Sequence, residues 1–584
     1  MNKQSDILAK LLPFDRRSIE ECIPITRMGK GEIGGKANGL LAIQDFLKSV
    51  IAECDHEDIS VCIPRMIVLT TEIFDLFMKR NDLYEIAFSD ATDTRIADAF
   101  HKATFPDEYI GDVMALAESM HTPIAVRSSS RLEDALYRPF AGVYGTKMVP
   151  NNQFSSSDRF HCLIDAIKFV FASTYFREAK AYVKNTEETI QQEKMAVILQ
   201  EVVGNRYGDR FYPELSGVAR SHNFYAMNWA RPKDGVIDLA LGLGKTVVDG
   251  EATWSYCPNM PHISPPFNTI QDMLNHTQLN FWAVNMGKPP EYDPINEAEY
   301  LVHPDLTVAE QDGTLRYTAS TYNHHSGRIT PGTNEKGPRI LNFAPILQYE
   351  KVPINDIMKR LLEKCESYTG NPVEIEFAVA LDPKEGVPAR VGFLQIRPIV
   401  VDSTEIAIDG EIDDLQNVLL ASDSALGNGI IDTIEHIIYV KPDKFEWKHT
   451  WQIATELEKL NERVLRERRN SILIGFGRWG TTDEWRGIPV HVGQISSARV
   501  IVEATLPGMT VDPSQGSHFF HNITSFRVLY FSVPHANPLH PIDWEWLEQQ
   551  PVIQETEFVK LVKSSVPLTT TVDGRIRQGV IRYG

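Results

Sequence analysis

The chain has 584 residues, more than one compact hydrophobic core accommodates, so roughly two to four domains are expected. Its hydrophobic fraction of 43% and charged fraction of 23% are ordinary for a globular protein, and its formal net charge is −20. An acidic surface repels phosphate backbones, so we expect no nucleic-acid partner, and any bound anion needs a local basic pocket or a cation.

The six cysteines and the first residues bear on the cellular compartment. No two cysteines form a Cys-x-x-Cys pair and none has a histidine at zinc-ligand spacing, so the sequence indicates neither a zinc site nor a disulfide framework. The start, MNKQSDILAKLLPFDRR, lacks the apolar core and cleavage site of a signal peptide. No apolar run is long enough for a bilayer. We therefore expect a cytoplasmic protein with no membrane partner.

The first 215 residues alternate helices with short strands. Residues 28–47 combine a Gly-rich turn with apolar residues at helical spacing, which predicts a helix start. The segment TEIFDLFMKR, from Thr71, is predicted to be a second helix. The other predicted elements are two short strands, a long helix and a buried strand: Ile63–Thr70, Pro123–Arg127, Asp165–Tyr182 and Met195–Val203.

A β-rich region follows, and a region of mixed strands and helices ends the chain. Three strands are predicted at Gly217–Ala219, Tyr225–Trp229 and Ile237–Leu241. The later elements are a helix, a strand pair, an acidic linker and a second helix: Ile354–Glu366, Glu374–Ala380 with Val391–Ile396, Asp402–Asp414 and Trp451–Arg469. Strands and helices mix throughout, so the fold class is α+β or α/β.

Three glycine- or serine-rich segments have the composition of a phosphate site. In Gly34-Gly35-Lys36-Ala37-Asn38, the glycines allow close backbone approach and a helix start offers free N–H groups. Arg127 ends a predicted strand and is followed by three serines, and its guanidinium group is suited to binding phosphate. The alternative is a serine-rich helix cap beside a Glu133-Asp134 pair at the surface. The third, LGLGKTVVDGE from Leu241, is either a phosphate cradle or a structural turn.

The predicted strand pair carries a fourth polar cluster. Glu374 and Glu376 share one face of their strand by period two, and so do Gln395 and Arg397 on the next. If the strands pair, the carboxylate and amide oxygens of these residues can bind a Mg²⁺ ion that bridges phosphates. Arg397 can then stabilise charge on a phosphoryl group. A cross-strand salt bridge is the alternative. Two neighbouring carboxylates are costly without a cation, which favours the metal interpretation.

Seven blocks of the sequence together resemble a known family. They are GGKANGLLAIQDFL, IPRMIVLTTEIF, VRSSSRLEDALYRPFAG, MAVILQEVVG, SGVA, LGLGKTVVDGE, and EIEFAVAL with FLQIRPI. Their order is that of the PEP/pyruvate-binding, ATP-grasp-like domain of phosphoenolpyruvate synthase, pyruvate phosphate dikinase and rifampin phosphotransferase. The resemblance covers roughly residues 28 to 400, and seven ordered blocks are far more specific than one.

The resemblance implies a two-lobed ATP-grasp-like region followed by a smaller α/β domain. We expect a first lobe at 1–215, a second lobe with the Mg-ATP site at 216–402 and a C-terminal domain at 415–584. By resemblance, ATP is bound by Gly35, Lys36, Arg127, Gln200, Glu201, Val202 and Arg397. Gln200–Val202 would line the adenine pocket, and Glu376 with Gln395 would hold Mg²⁺. The implied catalytic residues are Arg397, Lys36 and, by a weaker match, His518.

The C-terminal region departs from that family. The family's Thr-Ser-His signature is missing, and we expect no complete phosphoenolpyruvate synthase. ALGNGIIDTIEHIIYV, from Ala425, nevertheless resembles the first strand of a swivelling phosphohistidine domain, and SQGSHFFHN places His518 after a Gly turn. Imidazole is a competent phosphate acceptor, but a buried structural role for His518 or His521 is the alternative. In GFGRWGTTDEWRGIPV, one interpretation is that Arg478 binds an anionic acceptor. The alternative is a turn in which Trp479 packs inward.

Two classes of function stay open at this point. The first is an ATP- and Mg²⁺-dependent, dikinase-like phosphotransferase that acts on an unidentified small-molecule or protein acceptor, with a histidine as intermediate carrier. The second is a non-catalytic ATP-binding module or one component of a split phosphotransfer system. An ATP-dependent ligase is a third interpretation of the ATP-grasp resemblance. Turnover of ATP without a partner protein discriminates the first from the second.

Overall fold

The computed structural model describes residues 11–16, 25–53, 59–131, 133, 142–184, 190–226, 230–264, 269–349, 352–381, 389–399, 401, 417–483, 485–509, 518–537 and 539–583. The chain divides into two compact units. The first comprises Met1–Asn223, Asn228–Val247 and Ala252–Ile399, and the second comprises Phe224–Met227, Val248–Glu251 and Val400–Gly584. The predicted linker 402–414 lies outside the described residues. The fold mixes helices and sheets, as the sequence predicts.

A five-stranded sheet begins the first unit. Its spatial order is β1 (Ile25–Met28), β3 (Met66–Leu69), β6 (Met195–Glu201), β4 (Ile124–Ser130) and β5 (Thr146–Val149). The helices of this region are α1 (Gly34–Glu53), α2 (Thr71–Arg80), α3 (Tyr84–Phe88), α4 (Asp93–Lys102), α5 (Asp107–Ser119), α6 (Ser156–Ser173) and α7 (Arg177–Lys184). The helix predicted at Asp165–Tyr182 is therefore wrong in extent, because residues 174–176 form a turn that separates two helices. The helix at Thr71 is confirmed.

The first unit also contains a six-stranded sheet. Its order is β11 (Trp254–Tyr256), β10 (Val236–Ala240), β9 (Leu215–Arg220), β17 (Val373–Ala380), β18 (Ala389–Pro398) and β2 (Ile59–Cys62). The antiparallel pairing of β17 with β18 confirms the predicted strand pair. A hydrophobic core that includes Ile375, Phe377 and Ile396 covers one face of this sheet. The opposite face is therefore available for polar residues.

Two small sheets and six helices complete the described part of the first unit. The first sheet is β13 (Leu301–Val302), β12 (Ala283–Asn285), β8 (Arg210–Tyr212) and β7 (Asn205–Tyr207), and the second is β15 (Arg328–Pro331), β14 (Ala319–Asn323) and β16 (Arg339–Leu341). The helices are α8 (Lys245–Val248), α9 (Ile270–His276), α10 (Leu306–Gln311), α11 (Leu315–Thr318), α12 (Ala344–Leu347) and α13 (Ile354–Thr369). The strand predicted at Tyr225–Trp229 is wrong at its described residues, because Tyr225 lies in a turn.

The second unit is built on one large mixed sheet. Its order is β19 (Val418–Ser422), β29 (Gln578–Tyr583), β28 (Val559–Asp573), β21 (Asn428–Val440), β22 (Ser471–Phe476), β25 (Ala498–Ala504), β26 (Leu529–Val533) and β20 (Ala425–Leu426), and β27 (Val552–Glu555) pairs with β28. The other elements are β23 (Arg478–Trp479), β24 (Gly487–Ile488), α14 (Thr450–Arg466), α15 (His518–Ser525) and α16 (Trp544–Glu548). Over the described residues, every helix is too short or too polar to traverse a bilayer.

Candidate functional site

The polar face of the six-stranded sheet brings the predicted metal and phosphate residues together. Glu374 on β17 lies opposite Arg397 on β18 and opposite Arg220 on β9. Glu376 lies opposite Gln395 on β18 in the same register. Residues directly opposite each other in a sheet project to the same face, so these five side chains form one continuous polar patch. The predicted convergence on this strand pair is confirmed.

Glu374 is the centre of a buried ion-pair network. One of its oxygens, Oε2, accepts a hydrogen bond from Arg220 Nε at 2.6 Å, and Oε1 accepts one from Arg397 Nε at 2.5 Å. The three side chains are only 2–4% exposed. Burial alone lowers the pKa of Arg220, but its ion pairs with Glu374 and Asp238 raise that pKa above the ordinary value. Arg220 therefore stays charged inside the protein.

Arg127 joins the five-stranded sheet to the polar patch. It lies on β4, and its Nη2 donates to Gln395 Oε1 at 2.6 Å and to Glu376 Oε2 at 3.2 Å. Its Nη1 donates to the Leu394 carbonyl and to Gln200 Oε1, both at 3.2 Å. The partners on β18 are 267 and 268 residues away along the chain. A basic group from one sheet thus meets a carboxylate and an amide oxygen of the other.

Lys36 is buried at the start of α1, beside β4. Its Nζ donates to Glu133 Oε1 at 2.7 Å and to Ser128 Oγ at 3.3 Å. Glu133 is buried, which corrects the alternative that placed it at the surface. A Cβ added to Gly35 would lie 1.7 Å from the Glu133 carbonyl oxygen, so this glycine is required by close backbone packing. The local packing explains Gly35 without a ligand.

The residues expected at the adenine pocket lie at the end of β6. Gln200 is buried, and its Nε2 has no hydrogen-bond partner among the residues that the structure describes. Glu201 Oε1 accepts from the Thr122 hydroxyl at 3.0 Å, and the Val202 N–H donates to the Pro123 carbonyl at 2.9 Å. Of the three residues, Gln200 is the one that also contacts Arg127.

The Gly-rich turn after β10 has a structural explanation. Gly242 has φ +83°, and a Cβ there would lie 2.5 Å from the Trp282 carbonyl oxygen. The Leu241 N–H donates to Gln278 Oε1 at 2.8 Å, and Lys245 Nζ lies 5.6 Å from the centre of the Trp282 ring. These contacts hold the turn against a neighbouring strand, as the structural alternative for LGLGKTVVDGE requires.

The C-terminal candidates lie in the second unit. His518 is the first residue of α15, and Ser514–Ser517 of its loop lie outside the described residues. Trp479 is buried and its Nε1 donates to the Val502 carbonyl, so the inward-packed alternative for that tryptophan is confirmed. Arg478 Nη1 donates to the Gly250 carbonyl at 3.0 Å, which is a structural contact. Trp485, the second tryptophan of the motif GFGRWGTTDEWRGIPV, is 65% exposed.

The oxygen ligands fit Mg²⁺ chemically. Mg²⁺ binds proteins through one or two carboxylates and completes its octahedron with water and phosphate oxygens, which a Glu376 carboxylate and a Gln395 amide oxygen allow. No group of three or more His, Cys, Asp or Glu side chains is placed to hold a metal within the described part of the chain. Arg127 donates to Glu376 Oε2 and to Gln395 Oε1, so a cation bound at these two oxygens would compete with its guanidinium.

Sequence reasoning missed Arg220 and Asp238. Arg220 Nη1 donates to Asp238 Oδ2 at 2.6 Å, which extends the network onto β10. Both residues are charged members of otherwise apolar strands, LSGVAR and VIDLA. Because a charged side chain in a buried strand needs a partner, this pattern was the signal that could have identified them.

Comparison with known families agrees with this geometry. The family model for "Pyruvate phosphate dikinase, AMP/ATP-binding domain" matches residues 30–413. A comparison with curated proteins found no match. The matched region contains the polar patch, Arg127, Lys36 and the end of β6, and it covers more than half of the chain. The chain therefore belongs to the pyruvate phosphate dikinase AMP/ATP-binding domain family.

Proposed function

We propose that the chain is a Mg-ATP-dependent phosphotransferase with a two-lobed, ATP-grasp-like nucleotide site. The observation that supports this most strongly is the meeting of Arg127 with Glu376 and Gln395. It joins a basic group on one sheet to oxygen ligands on another around a common point. A triphosphate with its cation needs such a combination of positive charge and oxygen ligands.

Each charged group has a role in this proposal. Glu376 and Gln395 hold Mg²⁺, which when bound neutralises charge on the phosphates. Arg127 exchanges its carboxylate and amide partners for phosphate oxygens, and Lys36 adds a positive charge near the start of α1. Arg397, fixed by Glu374, stabilises charge that develops on the transferring phosphoryl group. Positioning and charge stabilisation supply most of the catalysis in phosphoryl transfer.

The acceptor is proposed to be reached through His518. An imidazole nitrogen of His518 uses its lone pair to form a P–N bond with the β-phosphorus of ATP while the bond from that phosphorus to the α–β bridging oxygen breaks, and AMP leaves with the electron pair. Water or another acceptor then takes the terminal phosphoryl group, which departs as inorganic phosphate after hydrolysis and leaves a phosphohistidine. The phosphohistidine then passes the group to a small-molecule or protein acceptor. By family resemblance, the nucleotide product is AMP. His518 is half-buried at the start of α15.

The test is incubation of the protein with Mg-ATP, followed by separation of the nucleotides. We expect AMP or ADP from the wild type and at least about tenfold less from Glu376→Ala, since one metal ligand is lost. Acid-labile label from β-labelled ATP should be absent in His518→Ala. Equal product from the wild type and Glu376→Ala, across broad pools of acceptors, would count against a kinase. Nucleotide binding without turnover would favour a non-catalytic module.

A further inference from the structure

Arg220 occupies an unusual position for a strand residue in a protein core. It is the last residue of β9, and both its side chain and that of Asp238 are at most 4% exposed. Its Nε donates to Glu374 and its Nη1 to Asp238. Its buried Nη2 has no hydrogen-bond partner in the part of the chain that the structure describes.

A single chain of contacts passes through Arg220 and crosses five adjacent strands. The Ser255 hydroxyl on β11 donates to Asp238 Oδ1 on β10. The other oxygen of Asp238 accepts from Arg220 on β9, and Arg220 contacts Glu374 on β17. Glu374 in turn contacts Arg397 on β18. Asp238 therefore fixes the plane of the Arg220 guanidinium, and Arg220 fixes the carboxylate of Glu374.

The two oxygens of Glu374 contact different arginines, and this arrangement sets the direction of Arg397. Arg220 occupies Oε2, so both Nε and Nη2 of Arg397 contact Oε1. Without Arg220, the carboxylate could rotate and bind Arg397 in a two-oxygen, two-nitrogen fork. That fork would turn the Arg397 guanidinium away from its present direction. Arg397 Nη2 lies 3.8 Å from Glu376 Oε1, the proposed metal ligand, so its direction sets the charge beside the cation.

We propose that Arg220 is a positioning residue for phosphoryl transfer, which acts through Glu374 to aim Arg397 at the reacting phosphates. This inference rests on the proposed function. A fold-stabilising role alone is a weak explanation, because a buried ion pair can often be replaced by apolar residues without loss of stability. Arg220 influences the rate of transfer more than the binding of ATP, since its contacts are to other protein groups.

The test compares Arg220→Met and Arg220→Lys with the wild type by kcat and by KM for Mg-ATP. Arg220→Met should lower kcat about 100-fold and change KM less than about threefold, as expected when transition-state charge stabilisation is lost. Arg220→Lys should recover at least about tenfold in kcat, because it restores a cation beside Glu374. The control is Arg210→Met, which removes an ion pair with Asp312 on another sheet and should leave kcat unchanged.

Several results would overturn the proposal. One is a wild-type kcat in folded Arg220→Met, and another is an effect confined to KM. Equal losses of kcat in Arg210→Met and Arg220→Met would indicate a purely structural role. If Arg220→Met does not fold, Arg220→Lys and Asp238→Asn decide the question, because unchanged kcat in both contradicts the inference. If the wild type has no higher kcat than Glu376→Ala, the proposed function itself is refuted. If the wild type is active and Arg220→Met has the same kcat, only the role of Arg220 is refuted.

Discussion

Glu374 shows how much of this site depends on single buried charges. It lies between two guanidinium groups and is 3% exposed, so each of its neighbours relies on it for compensation. Glu376 and Arg127 form a second pair nearby, at 3.2 Å. Counting Asp238 and Arg127, which adjoin the polar patch, three carboxylates thus accompany three arginines. Burying ion pairs carries a desolvation cost that their mutual attraction need not offset, so the patch is a candidate binding site.

Replacing Glu374 by alanine is predicted to destabilise the protein strongly. The change leaves Arg220 and Arg397 buried beside one another without their shared carboxylate, at an expected cost of about 3–5 kcal/mol. Urea unfolding of the first unit measures this cost. Glu108→Ala is the matched control, because Glu108 pairs with Arg80 at the exposed surface and its loss should hardly change the midpoint. Equal midpoints for the two variants would contradict the network described here.

At the scale of elements, α1 is set against β4 with little free space. Ser129 Oγ donates to the Ile33 carbonyl and accepts from the Ala37 N–H, which ties the first turn of the helix to the strand. Gly34 has φ +74°, and a Cβ there would lie 1.8 Å from the Ser129 carbonyl oxygen. Gly34 and Gly35 therefore allow the start of α1 to approach β4 closely enough for Lys36 to contact Glu133 and Ser128.

This packing predicts that two glycine substitutions differ in their effect on stability. Gly35→Ala places a methyl group 1.7 Å from a backbone oxygen, so α1 must move and stability should fall by about 1–3 kcal/mol. Gly244→Ala, in the other Gly-rich turn, meets nothing within 4 Å and should change stability by less than about 0.5 kcal/mol. Thermal unfolding of both variants measures the difference. A stable Gly35→Ala protein would show that α1 is not held as described.

The sequence predicted the strand pair because its period-two pattern needs no distant information. Glu374 opposite Arg397 and Glu376 opposite Gln395 follow from that pattern once the strands pair. The role of Arg220 could not be read in this way, since its partner Glu374 is 154 residues further along the chain. The helix predicted at Asp165–Tyr182 failed for a local reason: its apolar pattern continues across the turn at 174–176, so spacing alone does not reveal the break.

At the scale of the whole molecule, the groups assigned to the nucleotide and the group assigned to the acceptor belong to different units. Lys36, Arg127, Glu376 and Arg397 all lie in the first unit, whereas His518 lies in the second. Each unit has its own large hydrophobic core. A phosphotransferase that uses a histidine carrier separates its two half-reactions, and a division of groups between units is compatible with that arrangement.

The central claim is that Arg127 and Glu376 serve one Mg-ATP molecule, and a double-mutant cycle on Mg-ATP affinity tests it most directly. Calorimetric titration would compare the wild type with Arg127→Met, Glu376→Gln and the double variant. We predict that each single change weakens binding at least about tenfold, or about 1.4 kcal/mol. The double variant should lose less than the sum of the two, because Arg127 and Glu376 also contact each other. Wild-type affinity in either single variant would contradict a shared site.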